Sequence, residues 1–155
     1  MFCRTGHCEK AVEQYQKVLQ MYPGYPQANY LLAEAYARMG KYEEAVVQIE
    51  RAIAGPNLYP GWASATRAYA AAMSGRKKEA LILLPKVRKE TDPQYVDYWL
   101  ATVYASLGDN DEAFASLERA RQVRDMSLLL VQGDYRLDNI KPDRRFNEFI
   151  RRMNF

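Results

Sequence analysis

Four times this chain writes a glycine followed by the same pattern of small and large residues. Gly6 precedes HCEKAVEQYQKVL, Gly40 precedes KYEEAVVQIERAI, Gly75 precedes RKKEALILLPKVR and Gly108 precedes DNDEAFASLERAR. The glycines stand 34, 35 and 33 residues apart. Self-similarity at that period means a stack of small units, none of which buries its apolar face without a neighbour. Five residues after each glycine comes an alanine: Ala11, Ala45, Ala80 and Ala113. Four further on stand Tyr15, Ile49, Leu84 and Leu117, and three beyond these Val18, Ala52, Val87 and Ala120. Steps of four and three trace one face of a helix. The alanines mark where a neighbouring helix comes close, and the large residues fill the space beside them.

The half of each unit before its glycine is also patterned. Leu32, Ala33 and Tyr36 precede Gly40 at the distances at which Leu100, Ala101 and Tyr104 precede Gly108. The corresponding set before Gly75 is Arg67, Ala68 and Ala71, which keeps the small residue and loses the leucine and tyrosine. Each unit therefore reads as helix, tight glycine turn, helix, the glycine serving a link that needs positive φ. The pattern predicts helices over 8–21, 26–39, 42–54, 61–74, 77–90, 93–107 and 110–123. Pro26 and Pro93 suit first-turn positions, and Asp92 is placed to cap a helix beginning at Pro93. Pro85 falls inside a helix, where it bends the helix or leaves a carbonyl without its N–H partner.

These residues resemble the tetratricopeptide repeat family over positions 1 to about 124. The small residue, the glycine turn, the two small contact points and a proline near the unit's end (Pro23, with Pro56 and Pro93 close to it) all recur. The resemblance implies an all-α fold, a right-handed solenoid of antiparallel helix pairs with a C-terminal capping helix. The whole of 1–155 is then one domain, with a partial repeat at 1–25, repeats at 26–60, 61–93 and 94–125, and a cap at 126–155. The linker AGPNLYPG, 54–61, is slightly long for such a stack.

The tail SLLLVQGDYRLDNIKPDRRFNEFIRRMNF is similar to the end of tetratricopeptide regions in certain bacterial transcriptional regulators and serine/threonine kinases. The matching residues are Asp134, Leu137, Asp138, Ile140, Asp143, Arg145, Phe146, Ile150, Arg151, Arg152 and Met153, with the usual aspartate–proline inverted to Pro142–Asp143. That resemblance implies a short helix, a loop and a last helix. Phe146, Phe149, Ile150 and Met153 form a helix stripe that needs a surface to sit on. Capping the last repeat would supply one, bridged by Leu128–Val131, with Arg144, Arg145, Arg151 and Arg152 facing solvent.

The first unit has its second helix but only MFCRT in place of its first. Val12, Tyr15, Val18 and Leu19 are then left partly uncovered. Three explanations stay open: a piece of a longer protein, an edge that pairs with a partner or a second copy through Tyr15 and Leu19, or a tolerated frayed end.

Nothing in the chain assembles catalytic chemistry. His7 is the one histidine, and its neighbours Cys3 and Cys8 do not match a usual zinc spacing, with no fourth ligand close by. Glu43, Glu44, Asp109 and Asp111 fall at helix starts, where carboxylates complement the helix dipole. No phosphate-binding loop is present. The expectation is a non-enzyme with no cofactor and no metal. Two cysteines make no disulfide framework, and a reducing, cytoplasmic setting follows as the simpler expectation. A net charge of +3 does not by itself argue for nucleic acid or membrane. No run of 18 apolar residues occurs.

A partner site is expected on the inner wall, which the first helix of each pair lines in such stacks. By phase this wall carries Tyr30 and Glu34, then Trp62, Tyr69 and Met73, then Tyr95 and Tyr98. Rigid aromatic side chains beside alanine gaps suit an extended peptide or a docked helix. The lysines and arginines with which some family members clamp a terminal carboxylate are absent from the matching positions Tyr30, Glu34, Trp62, Ala65 and Tyr69. The expected function is a protein-interaction scaffold belonging to a bacterial signalling or transcription-regulatory protein. Self-association through the N-terminal edge is the alternative, and RNA binding by the helical repeat the less favoured one.

Overall fold

Alanines along the seams let the helices approach closely, and the computed structural model, which describes residues 7–55 and 60–153, is built on that approach. Eight α-helices follow one another: α1 Cys8–Met21, α2 Pro26–Arg38, α3 Tyr42–Ile53, α4 Pro60–Met73, α5 Lys77–Glu90, α6 Val96–Leu107, α7 Asn110–Gln122 and α8 Arg144–Arg152. Two 3₁₀ turns, Met126–Leu130 and Tyr135–Leu137, lie between α7 and α8. No strand occurs among the described residues. Antiparallel pairing joins α2 to α3, α4 to α5 and α6 to α7, and α4 also packs on α6 along the inner layer. The seam alanines Ala33, Ala45, Ala68, Ala80, Ala101 and Ala113 are wholly buried. Of the wall helices' small positions, Ala63, Ala65, Ala70, Ala71 and Ala105 are buried as well.

The turns carry the expected backbone. Gly40, Gly75 and Gly108 adopt φ of 74°, 84° and 81°, a left-handed conformation that costs an L-residue about 1–2 kcal/mol. The turn expected at Gly6 lies outside the described residues, as do Cys3 and residues 56–59 of the linker. Cys8 is disulfide-bonded, contrary to the expectation of reduced thiols. No helix is long and apolar enough to cross a membrane among the described residues.

One local expectation needs correction. The helix expected from Pro93 begins three residues later, at Val96, because Asp92 is used differently. Its Oδ1 accepts from the Gln94 N–H at 2.9 Å and its carbonyl from the Tyr95 N–H at 2.9 Å. Those bonds close a separate turn ahead of the helix. Arg145 keeps 40% of its side chain in solvent, as expected, and in addition stacks on Phe114 at 4.5 Å and pairs with Asp111 and Asp143 at 2.7 Å each, which ties α8 to the start of α7. Arg152 likewise reaches Glu118, at 3.5 Å. By contrast, α5 runs unbroken through Pro85, whose ring faces outward with exposed Leu81 and Ile82.

The largest apolar core lies at the C-terminal end. It joins Leu84, Val87, Leu100, Val103 and Leu117 to Leu128, Val131, Leu137, Ile140, Phe146 and Phe149. The cap therefore shares a core with the last repeats, as the stripe Phe146–Phe149–Ile150–Met153 requires. Asp143 caps α8 by accepting from the Arg145 N–H at 2.9 Å.

Two substitutions test opposite backbone demands. Gly61 faces Thr91 so closely that an added Cβ would overlap its side chain and backbone. Gly61→Ala is expected to cost about 1–3 kcal/mol, read as a lowered denaturation midpoint. Arg124 holds φ of 55° just past α7, where glycine is favoured. Arg124→Gly is expected to raise stability by about 1 kcal/mol in the same measurement.

Candidate functional site

The inner wall is not empty. The run 134–139, which follows the first 3₁₀ turn, lies across it and brings its polar side chains against α2, α4 and α6. Tyr98 of α6 donates its hydroxyl to Asp134 Oδ2 at 2.8 Å, and both residues are buried. Asp134 also accepts from the Arg136 N–H at 3.0 Å and from the Arg136 guanidinium at 2.9 Å (Nε) and 2.8 Å (Nη2). That bidentate pairing fixes the plane of the arginine. The guanidinium then lies 4.5 Å over the ring of Trp99 and 3.5 Å from Glu34 Oε1.

Glu34 is the centre of the wall. Thr66 of α4 donates to its Oε1 at 2.8 Å and Tyr30 at 3.3 Å, while Tyr135 donates to its Oε2 at 3.3 Å. The Tyr135 ring meets Tyr69 edge to face at 5.5 Å, and Arg38 covers it at 4.8 Å. Tyr69 in turn meets Tyr42 at 6.2 Å. Further along, Asn139 donates to the Ala105 carbonyl at 3.3 Å and approaches the Met73 sulfur at 3.7 Å.

The seven wall residues expected from the sequence thus fall into two groups. Tyr30, Glu34, Tyr69, Met73 and Tyr98 converge on the run 134–139, and Tyr30, Tyr69 and Tyr98 are buried with it in place. Trp62 and Tyr95 sit at the rim. Trp62 is 38% exposed and tilts against Trp99 at 5.7 Å, and Tyr95 is half-buried ahead of α6. Sequence reasoning missed Thr66, Trp99, Tyr135 and Arg136. The available signal was a Tyr–Arg pair set between the apolar anchors Val131, Leu137 and Ile140 in a stretch with no helical period.

Burial dominates the titration of this cluster. It pushes the Tyr98, Tyr30, Tyr69 and Tyr135 phenols well above their ordinary range, and the neighbouring carboxylates Asp134 and Glu34 add to the rise at Tyr98, Tyr30 and Tyr135. For Asp134 burial acts to raise the value, but the Arg136 charge and the hydrogen bonds from Arg136 and Tyr98 outweigh it and hold the carboxyl below its ordinary value. Arg136 is desolvated yet stays charged, because Asp134 and Glu34 face it. No three His, Cys, Asp or Glu side chains converge as a metal site among the described residues.

Stacked helix–turn–helix units around an inner wall that grips polypeptide define a helical-repeat scaffold. Tetratricopeptide-repeat profiles match residues 5–65 and 98–122, which together exceed half of the chain, and the chain belongs to the tetratricopeptide-repeat family. That fold is a framework for protein–protein interaction rather than for catalysis. Among solved structures, one described as the crystal structure of MamA superposes with a TM-score of 0.59 at 18% identity, covering 99% of both chains, and shows the same fold. No curated protein matches the chain.

Two variants check the geometry. Tyr98→Phe leaves buried Asp134 without its phenolic donor and is expected to cost about 1–3 kcal/mol in chemical denaturation. Because the folded-state value of Asp134 is depressed, its stabilisation is complete above the ordinary carboxylate range, about 3.9, and is lost as pH falls through the folded value. The stability gap between the unaltered chain and Asp134→Asn should therefore be widest near neutrality and close in acid, measured as denaturation midpoints at a series of pH values.

Proposed function

We propose that the chain is an interaction scaffold whose inner wall takes an extended peptide or a docked helix, in a bacterial signalling or transcription-regulatory setting. The observation that carries this reading is that the wall already holds a run of polypeptide, 134–139, through Tyr98, Glu34, Tyr69 and Met73. A surface that organises one peptide by side-chain hydrogen bonds and aromatic edges has the chemistry to organise another. Trp62 and Tyr95 at the rim offer first contact, and Tyr30, Glu34, Tyr69, Met73 and Tyr98 form the floor. The regulatory setting is supported by the tail, where Leu137, Ile140 and Phe146, residues of the regulator-like pattern, are buried and build the cap.

Affinity capture from the source lysate tests this with the unaltered chain and a Trp62→Ala/Tyr95→Ala variant of unchanged circular dichroism. A protein retained by the first and lost by the second supports the wall as the binding face. Equal retention on both, or none on either, removes it.

A second reading is favoured by the N-terminal edge. Val12, Tyr15, Val18 and Leu19 of α1 are only half-buried, and Met21, Tyr22 and Tyr25 beside them are exposed at 65%, 65% and 50%. Self-association through this edge predicts a mass in sedimentation that rises with concentration and becomes monomeric on Leu19→Glu. A monomer at all concentrations eliminates it.

A further inference from the structure

We infer that residues 134–136 occupy the wall as a built-in stand-in for its partner, and that the partner is an extended peptide carrying an arginine beside an aromatic residue. The inference rests on the wall being a binding face and adds what that face selects.

The strap divides into anchors and fingers. Val131, Leu137 and Ile140 are buried in the C-terminal core and hold its backbone against α6. Residues 135 and 136 reach α2 and α4 through their side chains: Tyr135 to Glu34, Arg38 and Tyr69, and Arg136 to Glu34. Rotamer changes at these two residues clear that part of the wall while the anchors stay buried. Such changes are far smaller than unthreading the strap.

What the cleared wall demands follows from its fixed groups. Glu34 belongs to α2, is gripped from below by Thr66 and Tyr30, and does not leave with the strap. Trp99 offers its ring face beside it. Without Arg136 that carboxylate, 23% exposed and hydrogen-bonded by Thr66 and Tyr30, loses its cation at 3.5 Å, and a partly buried charge favours a replacement. An incoming guanidinium restores the Glu34 ion pair and the stacking on Trp99, and the cost of the exchange is the Asp134–Arg136 pair within the strap. Lysine, a point charge without a planar face, fits the slot between carboxylate and indole less well. The socket beside it, between Arg38 and the edge of Tyr69, takes the neighbouring aromatic ring.

The test uses the full chain and a labelled synthetic peptide, VQGDYRLDNIK, copied from residues 131–141. A second peptide has alanine in place of its arginine. Asp134→Asn/Arg136→Ala removes the strap's own ion pair as a unit and leaves Glu34 seeking a cation. This variant, with unchanged circular dichroism, is expected to bind the arginine peptide about tenfold or more tighter than the unaltered chain does. The alanine peptide should not bind, and adding Glu34→Gln should abolish the gain. Equal binding of both peptides overturns the arginine rule while leaving the wall as a binding face, and no binding of either overturns both. A measurement on the unaltered chain stands independently of any variant's folding. Excess arginine peptide should shift the Trp99 indole N–H resonance as Arg136 leaves that ring, and a resonance that stays fixed up to saturating peptide overturns the proposal.

Discussion

The guanidinium of Arg136, buried, is the tie on which the arrangement of the tail against the inner wall depends. It joins a carboxylate of its own strap, Asp134, to a carboxylate of α2, Glu34, across the indole of Trp99 in α6. A lone buried charge would be expelled or neutralised. Here two opposite charges and a ring face surround it, and the Tyr98 and Tyr135 phenols donate to the two carboxylates. Such a network offers only a modest net gain over an apolar core of equal volume, but it admits one geometry. Through it the strap is joined to α2 and to α6.

Much of the architecture was legible in the chain because a solenoid states its design repeatedly. Ala45, Ala80 and Ala113 stand five residues beyond glycines that need positive φ, and all three are sealed. Seven helices were read to within a few residues from that phase. The miss at α6 has a physical cause, since an aspartate before a proline can cap a helix or close a turn, and Asp92 closes a turn. Periodicity does not separate the two.

The site was legible only in half. Phase placed Tyr30, Glu34, Trp62, Tyr69, Met73, Tyr95 and Tyr98 on one wall, because helix geometry decides which residues share a face. Phase is silent about Tyr135 and Arg136, which sit in a three-residue 3₁₀ turn with no repeat behind it. Their partners Glu34 and Tyr69 lie far upstream, and no local rule links a tail to the wall it lies on. Arg145 illustrates the same limit. On a basic helix end it reads as solvent-facing, and it is 40% exposed, but nothing local states that it stacks on Phe114 and pairs with Asp111 and Asp143.

Stacks of helix pairs ordinarily fold from local contacts, and each unit answers mainly to the next. In this chain the hydrogen bond from Tyr135 to Glu34 spans 101 positions, and the Arg136–Glu34 pair spans 102. The second helix in the chain therefore shares a polar centre with its last segments. Loosening of the N-terminal repeat exposes a charge near the C-terminus, and release of the tail strips a counter-ion from the start of the stack. A row of units that would answer only to its immediate neighbours thus gains one direct polar link between its second helix and its tail, and a disturbance at either is felt at the other.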